Sequence, residues 1–479
     1  MSSAALEQFV VAPGKQRSWA TALLVLIDVG SLEVALLLGC LARIALRPVF
    51  PVNIGRPQFQ GLAIGVLILP IVYYAMGLYP GYGIGAVQRI RSRCYATLMI
   101  FGVLLTWNYI FEDRQWSRGV LLLTAIFALV IPPALEAVLR KLLIRRGLCG
   151  EPVVILGAGR TGALVARKLK QEADLGFAPI ALLDDDPRKW GMEIDGIPVT
   201  GPLSAVRAYE ECAKVVLIAI PGMERQRLSE LVQRLSFPSV IIIPDLFGIQ
   251  SLWITSRDLD GVLGLEVKKS LLLKSNWLLK RLLDYTIALP LFLLAAPVMA
   301  LFAVWIKIQS PGPAFFRQQR EGRDGRRLTI YKLRTMHHKA DALLEQHLAD
   351  NPDERRSWQQ YYKLRRDPRV IPGVGTFLRR YSLDELPQLW NVLRGDMSLV
   401  GPRPFPYYHL ESFPEAFRNL RASVMPGLTG FWQVSERSDG DLAVQEAEDS
   451  YYIRNWSVWL DIYILIKTAS VLISPKGAY

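Results

Sequence analysis

The sequence has 479 residues, of which 51% are hydrophobic, with a net charge of +13 and a mean hydropathy of +0.23. This length predicts about three domains, and the hydropathy favours a membrane protein over a soluble one. The positive charge predicts anionic partners such as lipid headgroups, nucleotides or nucleic acid. The four cysteines form no CxxC pair and the four histidines no HExxH motif, which argues against a disulfide framework, a zinc ribbon and a zinc hydrolase.

The N-terminal part of the chain predicts a membrane bundle. Its polar start runs directly into a long apolar stretch without a small-residue cleavage site, so we expect the N-terminus to stay attached. Each apolar run has close to the roughly 20 residues that cross a bilayer as a helix. The four predicted transmembrane helices lie near residues 20–45, 59–79, 95–111 and 118–138.

Basic residues flanking these runs predict that both ends of the bundle lie in the cytoplasm. The charges that favour this side are Lys15, Arg17, Arg89, Arg91, Arg93, Arg140, Lys141, Arg145 and Arg146, against Arg43, Arg47, Arg56, Arg114 and Arg118 in the opposite loops. Two acids in the first run, Asp28 and Glu33, are costly in lipid, so we expect them to face the bundle interior.

From Glu151 onward, short apolar runs alternate with helical stretches, which predicts a parallel βαβ sheet. Gly157, Gly159 and Gly162 follow a predicted strand and open a helix, and Asp184 ends the next strand. This is the context of a dinucleotide-binding fingerprint. The unit has only about half the length of the usual two-lobed fold and no Tyr-x-x-x-Lys pair. A small-molecule sensor or a structural domain is therefore favoured over a nicotinamide-dependent enzyme.

A fifth apolar run, residues 285–306, carries basic residues on both flanks and Pro297 near its middle. A spanning helix would place one basic flank on the wrong side of the membrane. Proline bends a helix, so a segment that enters and returns to the same face accounts for both features. The alternative is an ordinary spanning helix with a proline kink, which would place the remaining residues in the periplasm.

Adjacent carboxylates stand out in RRYSLDELPQLW, residues 379–390. Ser382 and Glu385 have the spacing of a capping box. Pro387 instead favours Asp384 as the N-cap, because proline is tolerated only in the first helical turn. Both alternatives place Asp384 and Glu385 at the positive end of a helix, where phosphate and its metal ions can bind. At such a position one carboxylate can attack a phosphate group while the other binds a cation.

Basic and turn-rich segments surround this stretch in the last third of the chain. Arg403 lies between two prolines in DMSLVGPRP, residues 396–404, and a fixed arginine is suited to a forked contact with phosphate. The segment VMPGLTGFWQV, residues 424–434, predicts a second loop. The basic residues cluster beside a membrane segment and no nucleic-acid-binding motif is present, so nucleic acid is not expected as a partner.

Four motifs in this region resemble one known family, the polyprenyl-phosphate hexose-1-phosphate transferases of bacterial inner membranes. They are YKLRTM (331–336), SLDELPQLWNVLRGDMSLVGPRP (382–404), PGLTGFWQVSER (426–437) and YYIRNWSVWLDI (451–462). The bundle and the Rossmann-like middle make the chain similar to the long members of that family.

The resemblance implies a chain of three parts, with a four-helix transmembrane bundle (1–146), a Rossmann-like α/β domain (147–265) and an α-rich monotopic catalytic domain with a re-entrant membrane helix (266–479). It implies transfer of hexose-1-phosphate from a UDP-hexose to undecaprenyl phosphate, with magnesium and a covalent phospho-sugar intermediate. We also expect a homodimer in contact with membrane lipid, its catalytic domain facing the cytoplasm.

The resemblance also assigns roles to individual residues. Asp384 would be the nucleophile and Glu385 the magnesium ligand. The predicted phosphate contacts are Lys332, Arg334 and Arg403, and Asp461 is a further catalytic candidate without an assigned role. Trp456, Trp459 and Tyr463 are expected to be interfacial anchors. Two other functions remain open: a membrane-tethered nicotinamide-dependent nucleotide-sugar enzyme that uses the glycine loop, and a non-catalytic scaffold for polysaccharide assembly.

Overall fold

A computed structural model describes most of the chain as two compact units, Met1–Phe247 and Gly248–Tyr479. The described residues are 15–50, 56–110, 117–244, 254–258, 263–267, 274–337, 340–351, 354–355, 364, 367–435 and 442–473.

The first unit begins with a helical bundle around one hydrophobic core, which includes Leu32, Leu69, Phe101 and Leu121. Apolar side chains also cover its outer face, as expected where lipid replaces water. Its helices are α1 (Lys15–Ala45), α2 (Arg56–Val66), α3 (Ile68–Ala75), α4 (Ala86–Ile110) and α5 (Arg118–Arg145).

Two of the four predicted spans, in α1 and α5, are long and apolar enough to cross a membrane within the described part of the chain. The second predicted span is instead divided between α2 and α3, which meet at Leu67. The third lies in α4, whose first turns carry Arg89, Arg91 and Arg93 and lower its mean hydropathy. All four predicted regions are therefore helical, but they differ in length and hydropathy.

Charged residues inside the bundle form a buried network. Arg93 forks onto Asp28, with Nη1–Oδ1 at 2.8 Å and Nη2–Oδ2 at 2.9 Å, and Tyr79 donates to the same carboxylate. Arg140 binds Glu136 at 2.7 Å. Asp28 thus faces the interior as predicted, whereas Glu33 is half-buried.

This network also changes the charge argument for membrane orientation. Arg89, Arg93 and Arg140 are buried in helices, where carboxylates and backbone carbonyls bind them. Because these three arginines are bound inside the bundle instead of lying at the membrane surface, they give little support to the predicted orientation. The orientation prediction then depends on the remaining basic residues.

The second part of the first unit is an α/β domain with a six-stranded sheet of order β3-β4-β2-β1-β5-β6. The pairs β1–β2, β1–β5, β2–β4 and β5–β6 are parallel, and the short β3 is antiparallel to β4. This confirms the predicted parallel sheet. The elements are β1 (Glu151–Leu156), α6 (Arg160–Gln171), β2 (Phe177–Leu183), β3 (Glu193–Ile194), β4 (Ile197–Gly201), β5 (Val215–Ile218), α7 (Arg225–Arg234) and β6 (Ser239–Ile242).

The central strand β1 is buried along its whole length, because apolar clusters cover both faces of the sheet. The loop before α4 joins this domain to the bundle. Gly83 N donates to Leu175 O at 2.8 Å, and a side chain at Gly83 would collide with Phe177. The bundle and the sheet are therefore in direct contact through backbone.

The second unit combines one long apolar helix with a small domain of strands and shorter helices (the mixed domain). Its elements are β7 (Ile254–Asp258), β8 (Leu263–Val267), α8 (Lys274–Gln309), β9 (Phe315–Glu321), β10 (Arg327–Leu333), α9 (Ala340–Asp350), α10 (Val374–Arg380), α11 (Gln388–Arg394), β11 (Ser398–Val400), α12 (Tyr407–Leu410), α13 (Glu415–Ala422), β12 (Gly427–Thr429), α14 (Phe431–Ser435), α15 (Leu442–Asn455) and α16 (Val458–Ile473). Strands β7–β8 and β9–β10 form antiparallel hairpins, and β11 pairs in parallel with β12.

Helix α8 contains the fifth apolar run and packs against the mixed domain near both of its ends. In its first turns, Arg281 donates to Met397 O at 2.8 Å and Asp284 accepts from Ser398 Oγ at 2.9 Å. In its last turns, Ile306 packs in a cluster with Leu378. The segment is one helix with Pro290 and Pro297 inside it, and it is long and apolar enough to cross a membrane.

The Asp28–Arg93 pair yields a stability prediction. Asp28→Asn leaves Arg93 buried without its carboxylate, which costs about 3–5 kcal/mol at a buried pair. The unfolding midpoint of the full chain in detergent, followed with a thiol-reactive dye that reports exposure of buried Cys40 and Cys94, should fall markedly. Glu33→Gln, at a half-buried position, is the matched control and should leave it nearly unchanged. Equal midpoints for the two variants would contradict the prediction.

Candidate functional site

The two adjacent carboxylates lie in a 3₁₀ turn, Leu383–Glu385, between α10 and α11. Neither predicted cap forms. Ser382 has a left-handed backbone (φ 56°) rather than the extended one of an N-cap and makes no side-chain cap bond, and the residue preceding α11 is Pro387. The carboxylates of Asp384 and Glu385 are thus not used to cap a helix and are available for other contacts.

Lys332 reaches this turn from β10. Asn391, on α11 and fully buried, donates to Thr329 O at 2.7 Å and accepts from Tyr331 N at 3.2 Å. These two bonds hold the strand against the helix that follows the two carboxylates, Asp384 and Glu385 (the dyad). As a result Lys332 Nζ lies 2.7 Å from Glu385 Oε1 and 4.0 Å from Asp384 Oδ2.

Arg403 reaches the turn from a loop that is held by a close crossing of two backbones. Gly427 N donates to Pro402 O and Gly401 N donates to Thr429 O, both at 2.9 Å. A Cβ on Gly427 would lie only 2.0 Å from Gly401 N, so the crossing requires glycine. This crossing joins the two predicted loop motifs and directs Arg403 Nη2 to Glu385 Oε1 at 2.7 Å.

The two acids therefore have different surroundings. Glu385 Oε1 accepts from both Lys332 and Arg403, whereas Asp384 is 4.0 Å from Lys332 and makes the longer contact. Both side chains are mostly buried, with 14% and 16% of their surface exposed. Charge-assisted hydrogen bonds stabilise the ionised form, so the geometry favours a permanently charged Glu385.

Burial raises the pKa of Asp384 to about 6, Lys332 opposes this shift, and the negative charge of Glu385 adds to it. Burial also acts to raise the pKa of Glu385, but Arg403 and Lys332 outweigh it and hold that pKa well below its usual range. With a pKa of about 6, most of the Asp384 carboxyl is still ionised at pH 7.

Arg334 does not join Lys332 and Arg403. Its two terminal nitrogens donate to the backbone of Pro311 and Ser310, at 2.8 and 2.6 Å, and the side chain is buried. These bonds fix the chain between α8 and β9. The geometry supports a structural role for Arg334 in place of the predicted phosphate contact.

Asp461 lies in a buried network at the start of α8. Its carboxylate accepts from Lys280 Nζ at 2.6 Å, Tyr452 OH at 2.8 Å and Trp456 Nε1 at 3.1 Å. Lys280 also donates to Val400 O at 2.9 Å. With 1% exposure, Asp461 anchors α8 to the mixed domain and is not placed with the dyad. The buried Trp456 contributes to this network, so its prediction as an interfacial anchor was wrong.

Two residues near the dyad, Arg379 and Asn391, were not predicted as members of the site. The positive charge of Arg379 lowers the pKa of Asp384, against the larger effect of burial; it belongs to the arginine pair directly before the dyad, which was a usable signal. Asn391 clamps β10 to α11, but a single asparagine in an apolar helix gives no comparable signal.

The glycine loop of the α/β domain folds as predicted, but the carboxylate of Asp184 is hydrogen-bonded to the loop itself. Gly157 has a positive φ of 101°, and a Cβ on Gly162 would lie 1.8 Å from Gly157 O. Asp184 Oδ2 accepts from Ala158 N and from Lys189 Nζ, both at 2.8 Å. Gly159 precedes α6 without a side-chain cap. Because the Asp184 carboxylate is bound to the loop itself, the geometry favours a structural role over dinucleotide binding.

A magnesium ion would fit the dyad on chemical grounds. No group of three or more His, Cys, Asp or Glu residues suited to a metal is found within the described residues. Magnesium, however, normally takes one or two carboxylates and completes its shell with water and substrate phosphates. Glu385 accepts both of its hydrogen bonds on Oε1, so Oε2 remains outside these contacts.

Comparison with known proteins bears on this site. Residues 275–475 match the family described as bacterial sugar transferase, and residues 77–244 match the family described as CoA-binding domain. The undecaprenyl-phosphate galactose phosphotransferase of Salmonella typhimurium is 34% identical over 395 residues, which cover 80% of this chain and 81% of that relative.

The chain belongs to the bacterial sugar transferase family. Another similar protein is the UDP-glucose:undecaprenyl-phosphate glucose-1-phosphate transferase of Xanthomonas campestris pv. campestris, 31% identical over 464 residues and 91% of each chain. The exopolysaccharide production protein ExoY of Rhizobium meliloti is 40% identical over 200 residues, 42% of this chain and 88% of that protein. This sugar transferase is thus an enzyme of the sugar-phosphate transferase type, and the predicted resemblance is confirmed.

Proposed function

We propose that this chain transfers hexose-1-phosphate from a UDP-hexose to undecaprenyl phosphate, through a covalent phospho-sugar on Asp384, with release of UMP. Relatives named for galactose and for glucose transfer support one of these two hexoses. The relatives named as exopolysaccharide production proteins support a place in polysaccharide synthesis.

The observation that carries the proposal is the unequal pairing of the two carboxylates. Glu385 accepts from two cations on one oxygen, while Asp384, within the described residues, makes only the 4.0 Å ion pair with Lys332. A nucleophile must have an oxygen free to approach phosphorus, and a charge-holding group must stay ionised. Asp384 satisfies the first requirement and Glu385 the second.

The reaction then follows from these residues. The Asp384 carboxylate attacks the sugar-bearing phosphorus, the bond between this phosphorus and the bridging oxygen breaks, and UMP leaves with that oxygen. A phosphate oxygen of undecaprenyl phosphate next attacks the same phosphorus and releases the carboxylate. Lys332 and Arg403 reduce the repulsion between the acid and the diphosphate. Magnesium bound at Glu385 would neutralise further phosphate charge.

We further propose that α8 enters and leaves the membrane on the cytoplasmic side of the bacterial inner membrane. A straight helix of 36 residues is about 54 Å long, more than a bilayer core of about 30 Å needs. Residues near both of its ends contact the same mixed domain, and a domain in water on one side of the membrane cannot meet both ends of a spanning helix. The homodimer stays a prediction.

Covalent labelling tests the role of Asp384. The intact mass of the purified chain, incubated with UDP-galactose or UDP-glucose and magnesium but no lipid acceptor, should rise by one hexose phosphate. Asp384→Asn should abolish the adduct because the amide is not a nucleophile. Glu385→Gln should slow its formation, and added magnesium should partly restore the rate.

Asp396→Asn is the matched control, since this acid pairs with Arg394 at 3.3 Å and is partly exposed. It should form the adduct like the unmodified chain. A hexose-phosphate adduct that persists in Asp384→Asn would rule out Asp384 as the nucleophile. An adduct with neither sugar nucleotide would contradict the proposed function itself.

The rate of adduct formation should depend on pH through Asp384. Its pKa of about 6 lies above the ordinary value of an aspartate, and only the ionised form attacks. The single-turnover rate at fixed magnesium should therefore be nearly constant above pH 7 and fall about tenfold per pH unit well below pH 6. A profile that stays flat down to pH 4.5 would show that Asp384 reacts with its ordinary pKa.

Cysteine labelling tests the membrane topology, with the native cysteines replaced by serine. An exposed position on α9, Glu345→Cys, should react with an impermeant maleimide only after permeabilisation. Arg47→Cys, in a loop predicted to face outward, is the control and should react in intact cells. Labelling of both positions in intact cells would show that α8 spans the membrane. The position near residue 440 is equally informative in principle but lies outside the described residues.

A further inference from the structure

A narrow cleft lies in the mixed domain beside the two cations that contact Glu385. Its lining includes Lys332 and Arg403, which both contact Glu385, and in addition Arg320 and Gln388. The cleft therefore adjoins the two cations that bind Glu385, and a third cation and an amide also line it. Neither of these two residues has a part in the mechanism described above.

Arg320 enters the cleft from the strand opposite Lys332. In the β9–β10 hairpin Arg320 is paired with Leu328 and Phe316 with Lys332, so Arg320 and Lys332 project from the same face. Along the hairpin they are four positions apart, about 13 Å. The Arg320 guanidinium contacts Gln318 Oε1 at 2.6 Å and Pro404 O at 3.5 Å, directly after Arg403. Two long cationic side chains thus approach the cleft from its two ends.

Gln388 is the first residue of α11 and is buried, with 3% of its surface exposed. Its side-chain amide has no hydrogen-bond partner in the part of the chain that the structure describes. An amide that makes no bond within the protein and borders a cleft can hydrogen-bond to a ligand there. Here the amide faces a cleft that three cations line.

We propose that Arg320 and Gln388 bind the phosphate that leaves with the nucleotide. This inference rests on the proposed function. When the Asp384 oxygen bonds to the sugar-bearing phosphorus, the bond from that phosphorus to the bridging oxygen breaks, and UMP carries away the oxygen and its electron pair. Negative charge therefore develops on the leaving phosphate. A guanidinium and an amide N–H are suited to stabilise it there.

This assignment divides the cations of the cleft between the two phosphates. Lys332 and Arg403 contact the dyad and serve the phosphate under attack. Arg320 lies further along the cleft and serves the leaving phosphate. An in-line displacement needs this arrangement, because the attacking and leaving oxygens lie on opposite sides of the phosphorus.

Binding of UMP and of uridine to the full chain in detergent, measured by isothermal titration calorimetry, tests the inference. Arg320→Met should weaken UMP binding roughly tenfold and leave uridine binding unchanged, since only UMP carries the phosphate. Gln388→Glu keeps the side-chain size but adds a negative charge, so it should weaken UMP binding at least as much. Arg320→Lys should restore part of the affinity.

Arg327→Met is the matched control, because Arg327 is exposed and lies on the opposite face of the same hairpin, paired with Glu321. It should bind UMP like the unmodified chain, and unfolding midpoints should confirm that every variant is folded. Unchanged UMP affinity in folded Arg320→Met and Gln388→Glu would overturn the inference, as would equal losses for UMP and uridine. If the unmodified chain formed no adduct and bound no UMP, the proposed function itself would fail.

Discussion

The two hydrogen bonds to Glu385 Oε1 are the contact on which the rest of the site depends. They join a strand (Lys332), a proline-flanked loop (Arg403) and the 3₁₀ turn of the dyad at one oxygen. Breaking a buried ion pair by removing one partner is costly, so each of the three segments holds the other two in place. The neighbouring Asp384 lies 4.0 Å from Lys332 and accepts neither of these two hydrogen bonds.

The supports of this contact are themselves buried and polar. Asn391 holds β10 to α11, the glycine crossing at Gly401 and Gly427 holds the arginine loop, and Asp284 of α8 accepts from Ser398 and Leu399 just before that loop. The apolar helix thus does more than attach the enzyme to lipid. Its first turns carry the hydrogen bonds that position the segment leading to Arg403, so membrane attachment and site geometry are coupled through backbone.

The sequence predicted the location of the site but not all of its members. The dyad, Lys332 and Arg403 do come together, and the family resemblance had singled out all four. Arg334 has the same charge and lies in the same motif as Lys332, yet its guanidinium binds carbonyls at the end of α8, a contact between distant segments that no local pattern encodes. Asp461 pairs with Lys280, which is 181 residues earlier, for the same reason. The parallel sheet, which depends on local hydrophobic patterning, was predicted correctly.

The sequence missed the buried pairs of the bundle for a related physical reason. Hydropathy treats each arginine as a charge to be placed in water, but Arg93 forks onto Asp28 inside the helices. A carboxylate in lipid predicts a partner, and the partner had to be one of the basic residues assigned to loops. Asp28 and Glu136 each pair with one arginine. If these two arginines are removed from the loop charges, fewer basic residues remain to determine the orientation. Buried acids therefore need to be paired before the positive-inside rule is applied, in this chain and in other bundles with intramembrane carboxylates.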